Sequence, residues 1–243
     1  GAVTDWYRAT EDGYETQFAV NHLSQFLLSC LLRPALAENG SGRIVTISSG
    51  SHRHATLHWK DVMLRRHYNP LTAYGQSKLC NLLFAAEWNR WNAPGVQAYA
   101  VDPGLVDTDI GAKRTAGFVR WFWNRRRKKG IAPEVPAATV SWLLEVPDEK
   151  LAGHLLWKDA RPVRESRLAR SERAAIQLWE LSARLCPGAA LHGVSAPESI
   201  QQCAALHGVS APESIQQGEA LHEGNAPASI QLGGVIPSVS VPD

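Results

Sequence analysis

Tyr74 and Lys78 stand four residues apart in Thr72-Ala-Tyr74-Gly-Gln-Ser77-Lys78. On a helix, that spacing puts the phenol and the ammonium on one face. A phenol in such a place can give a proton to a carbonyl oxygen, or as phenolate take one from an alcohol. An ordinary tyrosine, with a pKa near 10, is a poor base at neutral pH. Lowering it by two to three units needs roughly 3–4 kcal/mol. One cation about 4 Å away, at an effective dielectric near 20, supplies about 4 kcal/mol. The spacing therefore predicts that Lys78 makes Tyr74 acidic. Upstream, Ile44-Val-Thr-Ile47-Ser48-Ser49 ends in two hydroxyls. Ser49 is the candidate to hydrogen-bond the same substrate oxygen, with Ser48 as its rival. Downstream lies a turn, Asp102-Pro103-Gly104-Leu105-Val106-Asp107-Thr108. Together these are parts of a site that interconverts an alcohol and a carbonyl, with hydride carried by a nicotinamide.

A tyrosine and a lysine at this spacing also occur as an ordinary surface pair. Here the position carries the argument. The pair opens a long helix where a site at the carboxyl ends of parallel strands needs it.

Periodicity shows the elements that must place these groups. Phe18, Val20, Leu23, Phe26, Leu27, Cys30 and Leu31 recur at roughly helical spacing and predict a helix over 14–38, stopped by Asn39-Gly40. Arg43 to Ser49 is a β-branched run and reads as a buried strand. Residues 50–71 are polar and irregular, a surface excursion. Leu79, Leu82, Leu83 and Ala86 mark one face of a helix over 72–92, with Pro94-Gly95 as its stop. Val96 to Val101 reads as a strand, 134–146 as a helix, His154 to Trp157 as a third strand and 171–185 as a last helix. Such alternation implies a parallel sheet covered on both faces.

A chain of 243 residues can form one good-sized domain. A net charge of +2 gives no general pull toward nucleic acid. Cys30, Cys80, Cys186 and Cys203 are far apart, which favours free thiols in a reducing compartment over disulfides or zinc. The longest largely apolar run, Phe26 to Leu32, is too short to span a bilayer. No signal peptide is visible. The chain opens on Gly1 inside a pattern and reads as a fragment.

Two regions are expected: residues 1–186 as the folded domain, and 187–243 as a low-complexity tail. Residues 189–203 recur at 204–218 with only the last residue changed, and a looser copy fills 219–233. These copies hold too little apolar surface to offset the entropy of ordering them, so a disordered tail is expected. His192, His207 and His222 lack the companion ligands of a metal site, and His52, His54 and His58 read as a polar surface loop. No metal is expected. The tryptophans are assigned to packing. Phe118 to Lys129 sets aromatics beside five consecutive cations. It reads as a solvated loop, as a lid over an apolar substrate that touches anionic lipid, or as a nucleic-acid contact.

The chain resembles the short-chain dehydrogenase/reductases, and within them the retinol-dehydrogenase-like branch. The resembling stretches are Val20-Asn21-His22-Leu23, Arg43 to Ser49, Ala73-Tyr74-Gly-Gln-Ser77-Lys78-Leu79-Cys-Asn81, and Pro103-Gly104-Leu-Val106-Asp-Thr108. The resemblance implies an α/β fold, here an incomplete doubly wound (Rossmann-like) parallel sheet lacking its first strands. It implies Ser49, Tyr74 and Lys78 as catalytic residues. Asn21 would break helix hydrogen bonding and hold a water that relays protons to Lys78. Tyr74, Lys78, Pro103, Gly104, Val106 and Thr108 would hold NADP or NAD, with NADP slightly favoured. It also implies a small apolar alcohol or carbonyl as substrate, no nucleic-acid partner, peripheral membrane contact through 118–129, and a homodimer through helices 14–38 and 72–92. The place of action would be intracellular, in the cytoplasm or at the endoplasmic-reticulum surface. Two departures stand out: Ser24-Gln25, and Asp102 where that branch commonly has His. No T-G-x-x-x-G-x-G phosphate loop precedes Tyr74. Weak cofactor binding, marginal stability and impaired catalysis are therefore expected. The competing reading is a non-catalytic remnant that serves as an interaction module through 118–129 and the tail.

Overall fold

The computed structural model describes residues 1–38, 40–90, 95–107, 121, 125 and 130–187. Thr108, the tail from Gly188 with its repeats and three histidines, and the basic segment except Trp121 and Arg125 lie outside these residues.

The first helix comes in three pieces: α1 (Thr16–Phe18), a π-helical turn (Ala19–Leu23) and α2 (Ser24–Ala37). The Glu15 carboxylate caps its start, accepting the backbone N–H groups of Gln17 and Phe18 at 2.9 and 2.7 Å. Then follow β1 (Gly42–Ile47), a 3-10 turn (Gly50–His54) and α3 (Pro70–Arg90). After these come β2 (Val96–Val101), α4 (Glu134–Glu145), β3 (Leu156–Lys158), β4 (Arg161–Pro162) and α5 (Glu172–Leu185).

β2 occupies the span that its residues predict. α3 starts at Pro70 because Asn69 caps it, its Oδ1 accepting from Leu71 and Thr72 at 2.9 and 3.1 Å. A proline at the first helical position gives up an N–H that has no partner there anyway. The 50–71 excursion is only partly a surface loop, since His52, Leu57, Met63 and Leu64 are buried.

The four strands lie in the order β1-β2-β3-β4. β1, β2 and β3 run parallel, with Ile47 opposite Val101 and Val101 opposite Trp157. β4 folds back antiparallel on β3. Periodicity missed this hairpin. Its two turn residues, Asp159 and Ala160, have φ of 50° and 53°, values that hairpins usually give to Asn-Gly.

Helices cover both faces of this open α/β sheet. On one face α2, α3 and α5 enclose Phe26, Leu79, Leu82, Leu83, Phe84, Trp88 and Trp179. The rings of Phe84 and Trp179 stack at 5.9 Å. Each such leucine, buried outright, contributes about 1.5–3 kcal/mol. His22 joins the π-helical turn to α5, its Nε2 lying 2.8 Å from the Ser182 hydroxyl. On the other face, Leu143 and Val146 meet Tyr99, Val101 and Trp157. The catalytic candidates gather where β1 and β2 end.

Candidate active site

Ser48 and Ser49 run off the carboxyl end of β1 and face opposite ways, as successive residues of extended chain do. Ser48 is fully buried and donates to the backbone carbonyl of Lys78 at 2.9 Å. Ser49 instead hydrogen-bonds with the Tyr74 phenol. Of the two hydroxyls, Ser49 is the one beside the tyrosine.

Tyr74 is half-buried on α3. One turn on, the Lys78 ammonium sits 5.6 Å from the centre of the Tyr74 ring. Its Nζ donates to the Ile47 carbonyl at 3.0 Å, and the side chain is buried. The same carbonyl accepts the Asn81 amide at 3.0 Å. Asn81, which the motif alone does not mark as functional, thus shares the acceptor that holds Lys78.

The expected acid–base tuning is overturned. The Tyr74 phenol is pushed above its ordinary value, first by burial, and then by the Asp102 carboxylate. The Ser49 hydrogen bond pulls the other way without reversing the outcome. Lys78 itself is lowered by burial to about 8. A full cation beside an otherwise ordinary phenol would lower its pKa. In the folded chain both groups lose water, and desolvation disfavours the charged form of each.

The π-helical turn lies at Asn21. Its last bond runs from the Ser24 N–H to the Ala19 carbonyl, five residues back. The Ser24 hydroxyl donates to the Val20 carbonyl at 2.8 Å. Gln25 accepts a hydrogen bond from the Thr46 hydroxyl of β1. Ser24 and Gln25, the first of the departures from the branch pattern, thus serve local structure. Asn21 is buried. Its Oδ1 accepts the Ala2 N–H at 2.5 Å, and its Nδ2 donates to the Ala2 carbonyl at 2.9 Å and the Ser77 hydroxyl at 3.0 Å. Ser77 in turn donates to the Tyr74 carbonyl at 2.8 Å. Asn21 is therefore tied to the helix turn that carries Tyr74 and Lys78. The backbone of Gly1 lies between them: a Cβ there would be 2.9 Å from Asn21 Oδ1 and 3.2 Å from Lys78 Nζ.

Pro103, Gly104 and Val106 form the turn after β2, beside the Ser49 end of β1. Gly104 has a φ of 69°, and its N–H donates to Asp102 Oδ1 at 3.0 Å. Val106 pairs with Ile131. Two groups missed by sequence reasoning border this turn. Asp102 reaches toward Gly50, whose added Cβ would lie 3.4 Å from Asp102 Oδ2. His52 is buried and contacts the Ser49 carbonyl at 2.6 Å. Its burial gave no periodic signal in so polar a segment.

A nicotinamide nucleotide needs a cationic donor at its ribose and backbone groups at its carboxamide. Lys78, buried one helical turn from Tyr74, would supply the first. The turn at Gly104, where an added Cβ would meet only Lys158 within 4 Å among the described residues, leaves room for the second. The residues present fit that group.

Comparison with known proteins agrees. The family model for short chain dehydrogenases matches residues 2–117. Human retinol dehydrogenase 11 is 33% identical over 187 residues, covering 74% of this chain and 56% of that protein. Human polyprenol dehydrogenase is 33% identical over 193 residues, covering 73% and 56%. The chain thus spans little more than half the length of these relatives. The crystal structure of an uncharacterized protein from Mycobacterium paratuberculosis superposes with a TM-score of 0.52 at 28% identity, covering 77% of this chain and 64% of the other. By motif, fold and relatives, the chain belongs to the short-chain dehydrogenase/reductase family, in its retinol-dehydrogenase-like branch.

Proposed function

We propose that this chain carries the proton-transfer site of an NAD(P)-dependent oxidoreductase that interconverts an apolar alcohol and its carbonyl. The observation that carries this reading is the Ser49–Tyr74 hydrogen bond with the Lys78 ammonium 5.6 Å from the same ring, at the carboxyl ends of two parallel strands. Relatives named for retinol and polyprenol support an apolar substrate.

A bound nicotinamide would supply or accept the hydride. Lys78, Pro103, Gly104, Val106 and Thr108 would hold its ribose and carboxamide, with Tyr74 alongside. Ser49 orients the substrate oxygen. Tyr74, kept protonated at neutral pH, gives that oxygen its proton during reduction. The Lys78 charge steadies the phenolate left behind. Asn21 holds the Tyr74 turn through Ser77. The preference for NADP over NAD rests on resemblance alone.

The reading extends to where the chain works. Among the described residues, no helix is long and apolar enough to cross a membrane. Exposed Trp121 lies with the Arg125 guanidinium 5.9 Å from its ring. That pairing suits peripheral contact with an anionic membrane surface, such as the cytoplasmic face of the endoplasmic reticulum. Leu28, Leu31 and Leu32 are exposed on α2 and suit pairing with a second copy.

The test is turnover of retinal or a prenyl aldehyde by the purified chain with NADPH or NADH, followed by loss of reduced-nicotinamide absorbance. Tyr74→Phe is expected to lower the rate by about 10²-fold or more. Equal rates in parent and variant, or no turnover by the parent at saturating dinucleotide, would overturn the reading.

A further inference from the structure

Ser49 must hold one direction for its hydroxyl to meet Tyr74, yet the chain turns sharply there. Ser49 is extended, with φ −169° and ψ 153°, and the next residue opens the 3-10 turn Gly50–His54. One residue of that turn holds the Ser49 carbonyl twice. The His52 backbone N–H donates to it at 3.1 Å, and the His52 ring Nδ1 lies 2.6 Å from it. The Ser51 N–H donates to the Ser49 hydroxyl at 3.3 Å.

The His52 ring is fully buried, and among the described residues its Nε2 has no hydrogen-bond partner. Burying an imidazole with one nitrogen unpaired is unfavourable, so an unreplaced apolar side chain would be the cheaper occupant. Only an Nδ1–H can donate to a carbonyl, which assigns the tautomer. Burial lowers the pKa of the ring and favours its neutral form. The charged groups acting on it are Arg53, Asp102 and Glu165. The same turn packs on α3 beside Tyr74: a Cβ on Gly75 would lie 3.4 Å from both the Ser51 carbonyl and the Ala55 Cβ.

We propose that His52 is a positioning residue, whose Nδ1–H bond to the Ser49 carbonyl locks the turn that aims the Ser49 hydroxyl at the Tyr74 phenol. The kinetic consequence rests on the function proposed above; the structural consequence does not.

The full chain, carrying ring-labelled tyrosine, is titrated by carbon NMR to follow the Tyr74 phenol, and turnover is measured in parallel. His52→Leu removes the donor, whereas His52→Asn keeps an amide N–H within reach of the same carbonyl. His52→Leu is expected to raise the Tyr74 pKa, since the Ser49 bond that lowers it is lost. It should also cut kcat about 10-fold or more with KM within about twofold. His52→Asn is expected to restore both toward the parent. The proposal is overturned if His52→Leu titrates like the parent, or if His52→Asn titrates like Ser49→Ala. That second comparison also decides the matter if the leucine variant does not fold. A parent without turnover defeats the proposed function, while the titration still judges His52.

Discussion

The Lys78 ammonium donates to the carbonyl of Ile47 at 3.0 Å, the residue just before the serine pair that ends β1. A cation is thus buried on a neutral acceptor, and burial lowers its pKa to about 8. Its charge is held at a cost to the folded state.

Replacing Lys78 with Met should therefore stabilise the chain while abolishing turnover. The folded state releases this proton near pH 8 and the unfolded state near 10.5. Between those values the unfolded chain binds more protons, so this group makes stability rise with pH. Over 10.5 − 8 = 2.5 pH units, at about 1.36 kcal/mol each, the cost at neutral pH is roughly 3 kcal/mol. Allowing for the lost bond to Ile47, a gain of about 1–3 kcal/mol is expected at neutral pH. The gain should shrink as pH rises toward 10.5. Urea unfolding of parent and variant at both ends of that range measures it. A variant less stable than the parent at neutral pH would refute this account.

Asp102 is expected to govern the pH profile. Its carboxylate is one of two influences that hold the Tyr74 phenol above its ordinary pKa. Tyr74 is therefore a proton donor throughout the neutral range, and alcohol oxidation, which needs the phenolate, should rise with pH up to and past about 10. Asp102→Asn keeps an acceptor for the Gly104 N–H but removes the charge. The midpoint of the oxidation profile should then move to lower pH. A midpoint that stays put or climbs would show that Asp102 has no such influence.

The two adjacent serines should separate stability from activity. Ser48→Ala removes a buried donor from the Lys78 carbonyl and should cost about 1–2 kcal/mol in urea unfolding. Ser49→Ala loses only the long cap bond from Ser51 and should cost about 0.5–1 kcal/mol, while lowering kcat by about 10²-fold. The reverse pattern would move the catalytic role to Ser48.

Gly42→Ala should be among the more damaging small substitutions. A Cβ there would lie 2.2 Å from the Leu36 carbonyl oxygen, a backbone atom that cannot swing aside. The chain passes from α2 into β1 through that contact. A loss of about 1–3 kcal/mol is expected from the forced shift, measured as a lower urea midpoint. A neutral result would mean that the α2–β1 connection gives way easily.

How far these features could be read in advance depended on what each residue type reveals by itself. β1 and β2 were legible because β-branched runs have few other fates, and α3 because its leucines keep helical spacing. Tyr74 and Lys78 on one face followed from that same spacing. The direction of the Tyr74 shift did not follow, because it depends on burial and on Asp102, brought from a distant strand end. His52 was hidden among exposed histidines, and only the closing of the 3-10 turn distinguishes it from His54 and His58. The β3–β4 hairpin went unseen because Asp159-Ala160 takes a left-handed pair of conformations without a glycine to announce it.

The widened turn at Ala19–Leu23 also sets a rule for length. A π turn holds one residue more than an α turn over about the same rotation, its bonds reaching five residues back instead of four. Deleting one residue between Phe18 and Ser24 would therefore mend the helix and leave its two ends in phase. Phe18 would stay sealed in the core, and the cost would fall on the turn itself, where Asn21 grips Ala2 and Ser77. A residue removed from the regular turns of α2 would instead swing the far end of the helix by about 100°.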